Sequence, residues 1–394
     1  MIKVGSDFSG VGAFDQALQR LGIAYETIFA CDNDKYARET YVENYGQPTY
    51  FPVDVYEREI PKESLDIYMS SPPCQAFSMS GLRLGKEDKR GILFFNSHEF
   101  IKENKPRFFI FENVKGLLSD DGGRTFQEWL NLLGGKSVNG LPILFPYDDS
   151  VPYHIYYYTL NAKSVANVPQ NRDRVFIIGI RDDEDNRFTF PKGKPLTKKL
   201  SDVLESNVDE KYFLSTKLVN TFITRPQAQD YKFIPLNEES ETCPTLLSRY
   251  YKCGATDPYL KVSEPPWIAD YKNEDISPLV GQTEWKQLTE RRTEEAKKIR
   301  KESLAKGKDY SPRRGKELVE RQDEVSNTIT SGQSKEHLLH NKTNVRRLTP
   351  RECFRLMDFP ETFTWKCSDT QAYRQAGNSI VVGVLCEIIK KFKI

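Results

Sequence analysis

Three features of this chain carry residue types that do chemistry. The first is Cys74, in Ser70-Ser71-Pro72-Pro73-Cys74-Gln75, directly after the apolar run Leu65–Met69. That run reads as a buried strand, two prolines stop it, and their fixed φ stiffens the loop that follows. A thiol held at a strand's carboxyl end stands where ligands and chemistry collect in an open parallel sheet. Taken alone, the segment fits a turn with a small buried cysteine equally well. The second feature is Glu112, which closes the apolar run Arg107–Phe111. A carboxyl buried there has a raised pKa and can hold and donate a proton. The third is Phe8-Ser9-Gly10-Val11-Gly12, a glycine turn between a strand (Ile2–Phe8) and a helical pattern through Leu18 and Leu21. Such a turn lets a ligand approach the backbone closely. Asp32, 20 residues beyond Gly12 at the tip of the strand Tyr25–Cys31, suits a ribose diol. Turn and acid together favour an adenosine-containing cofactor. Asp54, in Val53-Asp54-Val55, is a further acid that reads equally as a cap.

The elements that must position these residues alternate strand and helix. Helical patterns follow at Ile92–Ile101 and Thr125–Leu133, and strands at His154–Leu160 and Arg174–Ile180. The alternation predicts an α/β fold, Rossmann-like with a mostly parallel sheet. It stops near Ile180, and a polar, irregular, β-like stretch follows. From Arg346 the apolar pattern returns, ending in a helix at Val384–Phe392. The expected organisation is a first domain over 1–184, an insert over 185–344, and a segment over 345–394 that completes the first domain. Within the insert, 284–321 carries 13 Lys/Arg against 8 Asp/Glu. It reads as a solvated helix or as a phosphate-contacting arm. Two Thr-rich runs with polar, basic turns, Cys243–Lys252 and Ser326–Lys335, suit contact with bases and phosphates. Their candidate residues are Arg249, Tyr250, Lys252, Ser331 and Gln333. Gly81–Gly91 reads as a lid or as an ordinary solvated loop.

Composition bounds the alternatives. With 57 Lys+Arg against 56 Asp+Glu, net charge does not announce nucleic acid, though a local patch still could. Seven scattered cysteines and four histidines give no metal-ligand spacing and no disulfide framework. We therefore expect reduced thiols, a cytoplasmic protein and no metal. No signal peptide is read at the N-terminus, and no apolar run reaches the ~18 residues of a membrane span.

Six blocks, in order, resemble the cytosine-5 DNA methyltransferases of bacterial, phage or restriction-modification type. They are Asp7–Gly12, Pro72-Pro73-Cys74-Gln75, Glu112-Asn113-Val114, Gln170–Arg174, Arg347–Cys353 and Gly377-Asn378-Ser379. The resemblance spans about 1–181 and 345–394. It implies a class I methyltransferase that uses S-adenosyl-L-methionine, yields S-adenosyl-L-homocysteine, and reads double-stranded DNA with the insert as target recognition domain. It implies a cofactor pocket of Phe8, Ser9, Gly10, Val11, Gly12, Asp32 (ribose), Asn33, Asp54 (adenine), Val55, Pro73, Leu93, Asn378 and Ser379. Cys74 is then the nucleophile at carbon 6 of a flipped-out cytosine. Glu112 serves ring N3, Arg172 and Arg174 are the nearby positive charges, and Gln75 and Ser78 frame the gap in the duplex. A monomer and a cognate restriction endonuclease, functional rather than physical, are the expected partners besides DNA. The tRNA-methylating branch of the family has a much shorter recognition region, so an insert of about 150 residues favours DNA. A catalytically silent DNA-binding relative would lack the Cys or the Glu, and both are present.

Overall fold

The apolar run at the N-terminus forms β1 (Ile2–Asp7), whose last four residues are all buried. The computed structural model describes residues 1–73, 92–185, 187–215, 218–219, 221–222, 233–262, 288–292, 294–305, 316–320 and 342–394. Two compact units contain them. The first comprises Met1–Ser206, Pro235–Leu260 and Leu348–Ile394, and the second Asn207–Ile234 and Lys261–Arg347. These bounds differ from the sequence division at 184/185 and 344/345. Residues 185–206 and 235–260 group with the first unit, because their backbone bonds run to it: Cys243 N–H donates to Pro169 O at 2.8 Å and Lys194 N–H to Ser164 O at 2.7 Å.

The first unit is built on one eight-stranded sheet. In chain order its strands are β1, β2 (Tyr25–Cys31), β3 (Ile67–Ser70), β4 (Phe108–Val114), β5 (Ser137–Val138), β6 (Leu141–Pro142), β7 (Tyr153–Asn161) and β9 (Asp173–Arg181); β8 (Gln170–Asn171) lies outside it. The spatial order is β2-β1-β3-β4-β9-β7-β5-β6. Strands β2, β1, β3 and β4 are mutually parallel. Here each strand is followed by a crossover, as parallel pairing demands. Strand β9 runs antiparallel to both β4 and β7. Only a short helix, Ala162–Val165, and β8 separate β7 from β9, too little chain for a parallel crossover. The sheet is therefore parallel on the cofactor side and mixed beyond β4.

Aromatic packing seals one face: Phe94 stacks on Trp129 at 4.1 Å between ring centroids and Tyr68 on Phe100 at 4.2 Å. The C-terminal segment docks on the same unit. Phe392 stacks on Phe108 at 4.7 Å, and the helix Val382–Ile389 packs against α1 (Ala13–Arg20). Ahead of it, Thr349 and Glu352 form a reciprocal capping box with Pro350 in the first turn.

In the second unit, Phe213–Ser215 pairs antiparallel with Lys342–Arg347. The charged run forms an antiparallel pair, Leu288–Arg292 with Lys316–Glu320, and between them a helix, Glu294–Ala305. Lys297, Lys298, Lys301 and Glu302 on that helix reach solvent, as both readings of the run, solvated helix and phosphate-contacting arm, require. The second Thr-rich run, with Ser331 and Gln333, lies outside the described residues, as do Cys74, Gln75, Ser78 and the 81–91 loop.

Candidate active site

The carboxyl ends of β1, β2, β3 and β4 open on one cavity of ≈580 Å³, within the usual range for small-ligand sites. Three structural devices shape its cofactor side. Phe8 leaves β1 at φ 56°, a left-handed conformation that a large side chain rarely adopts. Gly10 follows at φ 55° and Gly12 at φ 83°, both natural for glycine. The carboxylate of Asp32 then fastens the turn: one oxygen accepts the Gly10 N–H and the other the Asp34 N–H, each at 2.8 Å. Burial raises the Asp32 pKa, while those two N–H bonds oppose it. Asp32 thus holds the glycine turn itself, and only its remaining lone pairs are open to a ribose.

A buried ion pair stands behind this wall. Asp7 accepts Arg58 Nε at 2.9 Å and the Tyr68 hydroxyl at 2.6 Å, with both charged side chains almost wholly excluded from solvent. It joins the ends of β1 and β3. The Arg58 guanidinium also lies over the Phe100 ring, 4.5 Å from its centre. Sequence reasoning missed Arg58, whose only local signal was one cation in a charged, irregular stretch.

On the other side of the cavity stands Glu112 on β4, 8% exposed. Burial raises its pKa; Arg174 and then Arg172 pull the other way without cancelling the rise. Arg174 Nε lies 3.0 Å from Glu112 Oε1. Strand pairing explains the meeting, since β4 and β9 place Val114 opposite Arg174. Asn113 turns its amide to donate to Pro72 O at 3.1 Å. This bond ties the end of β4 to the double proline that immediately precedes Cys74 in the chain. Pro73 lines the cavity with Glu112 and Arg174.

Arg172, expected as a nearby positive charge, lines the cavity and acts on the Glu112 carboxyl. It is 2% exposed, and it donates to three main-chain carbonyls, Leu246, Gly377 and Ser379, at 2.9, 3.0 and 2.9 Å. Burial and its neighbour Arg174 lower its pKa to about 9, so it stays protonated at neutral pH. It braces the site as well as setting a positive charge beside Glu112.

Of the expected cofactor residues, Phe8, Ser9, Gly10 and Val11 line the cavity, with Asp32 and Asn33 beside them and Asn378 and Ser379 opposite. Gly12, Asp54, Val55 and Leu93 do not belong to its walls among the described residues. Gly12 packs under the turn, where a Cβ would come within 2.2 Å of the Tyr45 ring. Asp54 is exposed and accepts the Tyr56 N–H at 3.0 Å, an Asx turn with no helix after it. Val55 and Leu93 pack into the apolar core. Of the expected DNA-contacting residues, Arg249 and Lys252 reach solvent. Tyr250 is not available: it is 1% exposed, donates to Pro258 O at 2.7 Å and accepts the Leu348 N–H at 2.8 Å. It is a core residue. Ser248, Arg374 and Gln375 also line the cavity; Ser248 lies in the first Thr-rich run, while Arg374 and Gln375 had no sequence signal, because contacts far along the chain bring them there.

The description C-5 cytosine-specific DNA methylase matches residues 2–393. The chain belongs to this family. It is therefore a DNA (cytosine-5-)-methyltransferase, and it acts, as the family does, by S-adenosyl-L-methionine-dependent methyl transfer to cytosine flipped out of DNA. Among its relatives, the orphan methyltransferase M.SPRI of Bacillus phage SPR is 30% identical over 99% of this chain and 97% of its own length. The type II methyltransferase M.SsoII of Shigella sonnei is 30% identical over 98% of this chain and 78% of its own. Among solved structures, a Spodoptera frugiperda DNMT2 mutant superposes with a TM-score of 0.62 at 20% identity, covering 99% of each chain. That likeness shows the fold. The cavity fits the family's cofactor. Ser9, in its wall, keeps a buried hydroxyl with no partner among the described residues, which a polar ligand would satisfy. No helix among the described residues is long and apolar enough to cross a membrane.

Proposed function

We propose that this methyltransferase modifies one cytosine in a specific DNA sequence, with Cys74 as nucleophile and Glu112 and Arg174 as its partners. Carbon 5 of cytosine is too weak a nucleophile to accept a methyl group directly. Addition of the Cys74 thiolate at carbon 6 makes carbon 5 nucleophilic. Glu112, carrying a proton more readily than an ordinary carboxylate, hydrogen-bonds or protonates ring N3 and draws off the charge that Cys74 pushes in. Arg174 fixes the Glu112 carboxyl and adds positive charge beside the ring. S-Adenosyl-L-methionine, when bound, supplies an electrophilic methyl group and leaves as S-adenosyl-L-homocysteine. Phe8, Ser9, Gly10, Val11, Asp32 and Asn33 hold it from one side, with Pro73, Asn378 and Ser379 closing the other. Loss of the carbon-5 proton and of Cys74 restores the aromatic ring.

The observation that supports this reading most is the Glu112–Arg174 pair at 3.0 Å, in the same cavity as Pro73 and the Asp32-fastened turn. The target recognition domain is the insert, 185–344. Gln75 and Ser78 frame the vacated stack, and Arg249, Lys252, Ser331 and Gln333 contact DNA. The enzyme works as a monomer in the cytoplasm of a bacterium or phage-infected host. There it serves restriction-modification, beside a cognate endonuclease, or phage DNA protection. Bisulfite sequencing of DNA from cells expressing the protein tests this. Protected cytosines at one recurring sequence are expected; no protected cytosine, or protection without sequence preference, overturns it.

A further inference from the structure

Arg172 bonds to three carbonyls, and one of them, Leu246, belongs to a strap over 242–249 that the sequence places in the insert. The strap belongs to the first unit and is bonded along its length to the rest of it. Cys243–Pro244 pairs parallel with Gln170–Asn171, and Thr245 Oγ1 donates to Asn171 O at 2.7 Å. Beyond it, Tyr250 is locked in the core, edge-on to Tyr373 at 5.2 Å. The strap also abuts the Gly377–Ser379 turn backbone to backbone: a Cβ on Gly377 would come within 2.5 Å of Leu247 C and Ser248 N. Arg172 spans this seam, holding Leu246 on one side and Gly377 and Ser379 on the other. Ser248 then lines the cavity that holds Glu112 and Arg174. Arg249 follows it, open to solvent, with Nη2 3.4 Å from Thr256 Oγ1. The nearby acid, Asp257, is buried and accepts the Gly254 N–H at 2.6 Å.

We infer that Arg172 is a positioning residue, a strut that fixes this strap as one wall of the cytosine pocket, and that Arg249 grips a backbone phosphate beside the target base whatever the surrounding sequence. The inference rests on the methyltransferase reading and deepens it. An element bonded through its backbone to the catalytic wall keeps a constant place relative to the reacting centre. That is the geometry for placing a nucleotide. Phosphate contacts of this kind position DNA without reading its sequence, and a solvent-facing guanidinium matches phosphate geometry. A lysine at 172 would keep the charge but could not bridge three carbonyls in fixed directions.

The test compares wild type with Arg172→Lys, Arg172→Met, Arg249→Ala and Arg249→Lys. Single-turnover methylation of bacterial genomic DNA is read for rate and for the spectrum of sites. Salt-dependent binding to a DNA duplex is measured alongside, with affinity for S-adenosyl-L-homocysteine as the check on folding. Arg172→Lys and Arg172→Met are expected to lose rate alike, by about 100-fold, as for a reacting group misplaced by about 1 Å. Arg249→Ala is expected to slow every site evenly and to lower the salt slope of binding by about one, and Arg249→Lys to keep the slope. An Arg172→Lys variant near wild-type rate overturns the strut. An unchanged slope or an altered site spectrum in Arg249→Ala overturns the phosphate grip. Arg249 faces solvent, so its variants decide the matter should those at 172 fail to fold. A wild type that methylates no DNA overturns the methyltransferase reading itself, which separates the two failures.

Discussion

Replacing Asp15 by asparagine should flatten the pH dependence of stability in a calculable way. Asp15 lies in the first turn of α1, directly behind the glycine turn, and is 1% exposed. It accepts the Thr27 hydroxyl at 3.1 Å. Burial pushes its pKa from the ordinary 3.8 up to about 6, against the opposing pull of the Tyr41 and Thr27 hydroxyls. The folded state therefore binds a proton that the unfolded state releases across that interval. A raised pKa of this kind contributes stability fully present below the unfolded value and lost as pH rises through the folded one. At about 1.4 kcal/mol per pKa unit, the whole contribution is about 3 kcal/mol. About 2 kcal/mol of it disappears between pH 4.5 and 7.5. The amide of the variant cannot titrate, so urea unfolding of wild type and Asp15→Asn should give a stability difference that drifts against wild type by about 2 kcal/mol over that range. Asp7, Asp32 and Glu112 titrate in both proteins and cancel in the difference. A difference constant within about 0.5 kcal/mol at every pH would refute the reasoning, because it would mean that Asp15 is not held protonated by burial.

Breaking the Asp7–Arg58 pair with Arg58→Met leaves a buried carboxylate without its cation and should cost about 3–5 kcal/mol in urea unfolding; adding Asp7→Asn should recover part of that loss, and no recovery would speak against the pair as the cause. Gly12→Ala puts a Cβ at φ 83° and within 2.2 Å of the Tyr45 ring. Its affinity for S-adenosyl-L-methionine, measured by calorimetry, should fall by about ten-fold or more, and an unchanged Kd contradicts the role given to the turn. Glu112→Gln should keep the cofactor but slow single-turnover methylation by about 100- to 10,000-fold; a rate within about ten-fold of wild type removes Glu112 from the chemistry.

What the sequence made legible was local. The proline-stiffened loop, the acid after an apolar strand and the glycine turn with Asp32 each declare themselves in short stretches of chain. The strands that carry them fall within three residues of the periodicity reading, and the cavity gathers Phe8, Asp32, Pro73 and Glu112. What stayed hidden depends on partners far along the chain. The Arg172 carbonyls lie 74, 205 and 207 residues away, so the bracing role of a charge read from a motif was out of reach. Tyr250 looked like a polar-turn aromatic because nothing near it signals the Leu348 N–H that its hydroxyl accepts, 98 residues on. Strand direction was also out of reach: apolar periodicity marks β7 and β9 but is the same for parallel and antiparallel pairing, and only the short link between them decides. Asp54 had two readings, a helix cap or an adenine contact, and its carboxylate closes an exposed turn that no helix follows.

The most direct measurement concerns Cys74. DNA carrying 5-fluorocytosine at the mapped target cannot lose its carbon-5 substituent as a proton, so the enzyme should stay bonded to it in the presence of S-adenosyl-L-methionine. Intact-mass analysis is expected to show one covalent protein–DNA adduct located at Cys74, and none with Cys74→Ala, which should still bind cofactor and DNA but not methylate. An active wild-type enzyme that forms no adduct, or a Cys74→Ala variant with full turnover, would contradict the covalent mechanism.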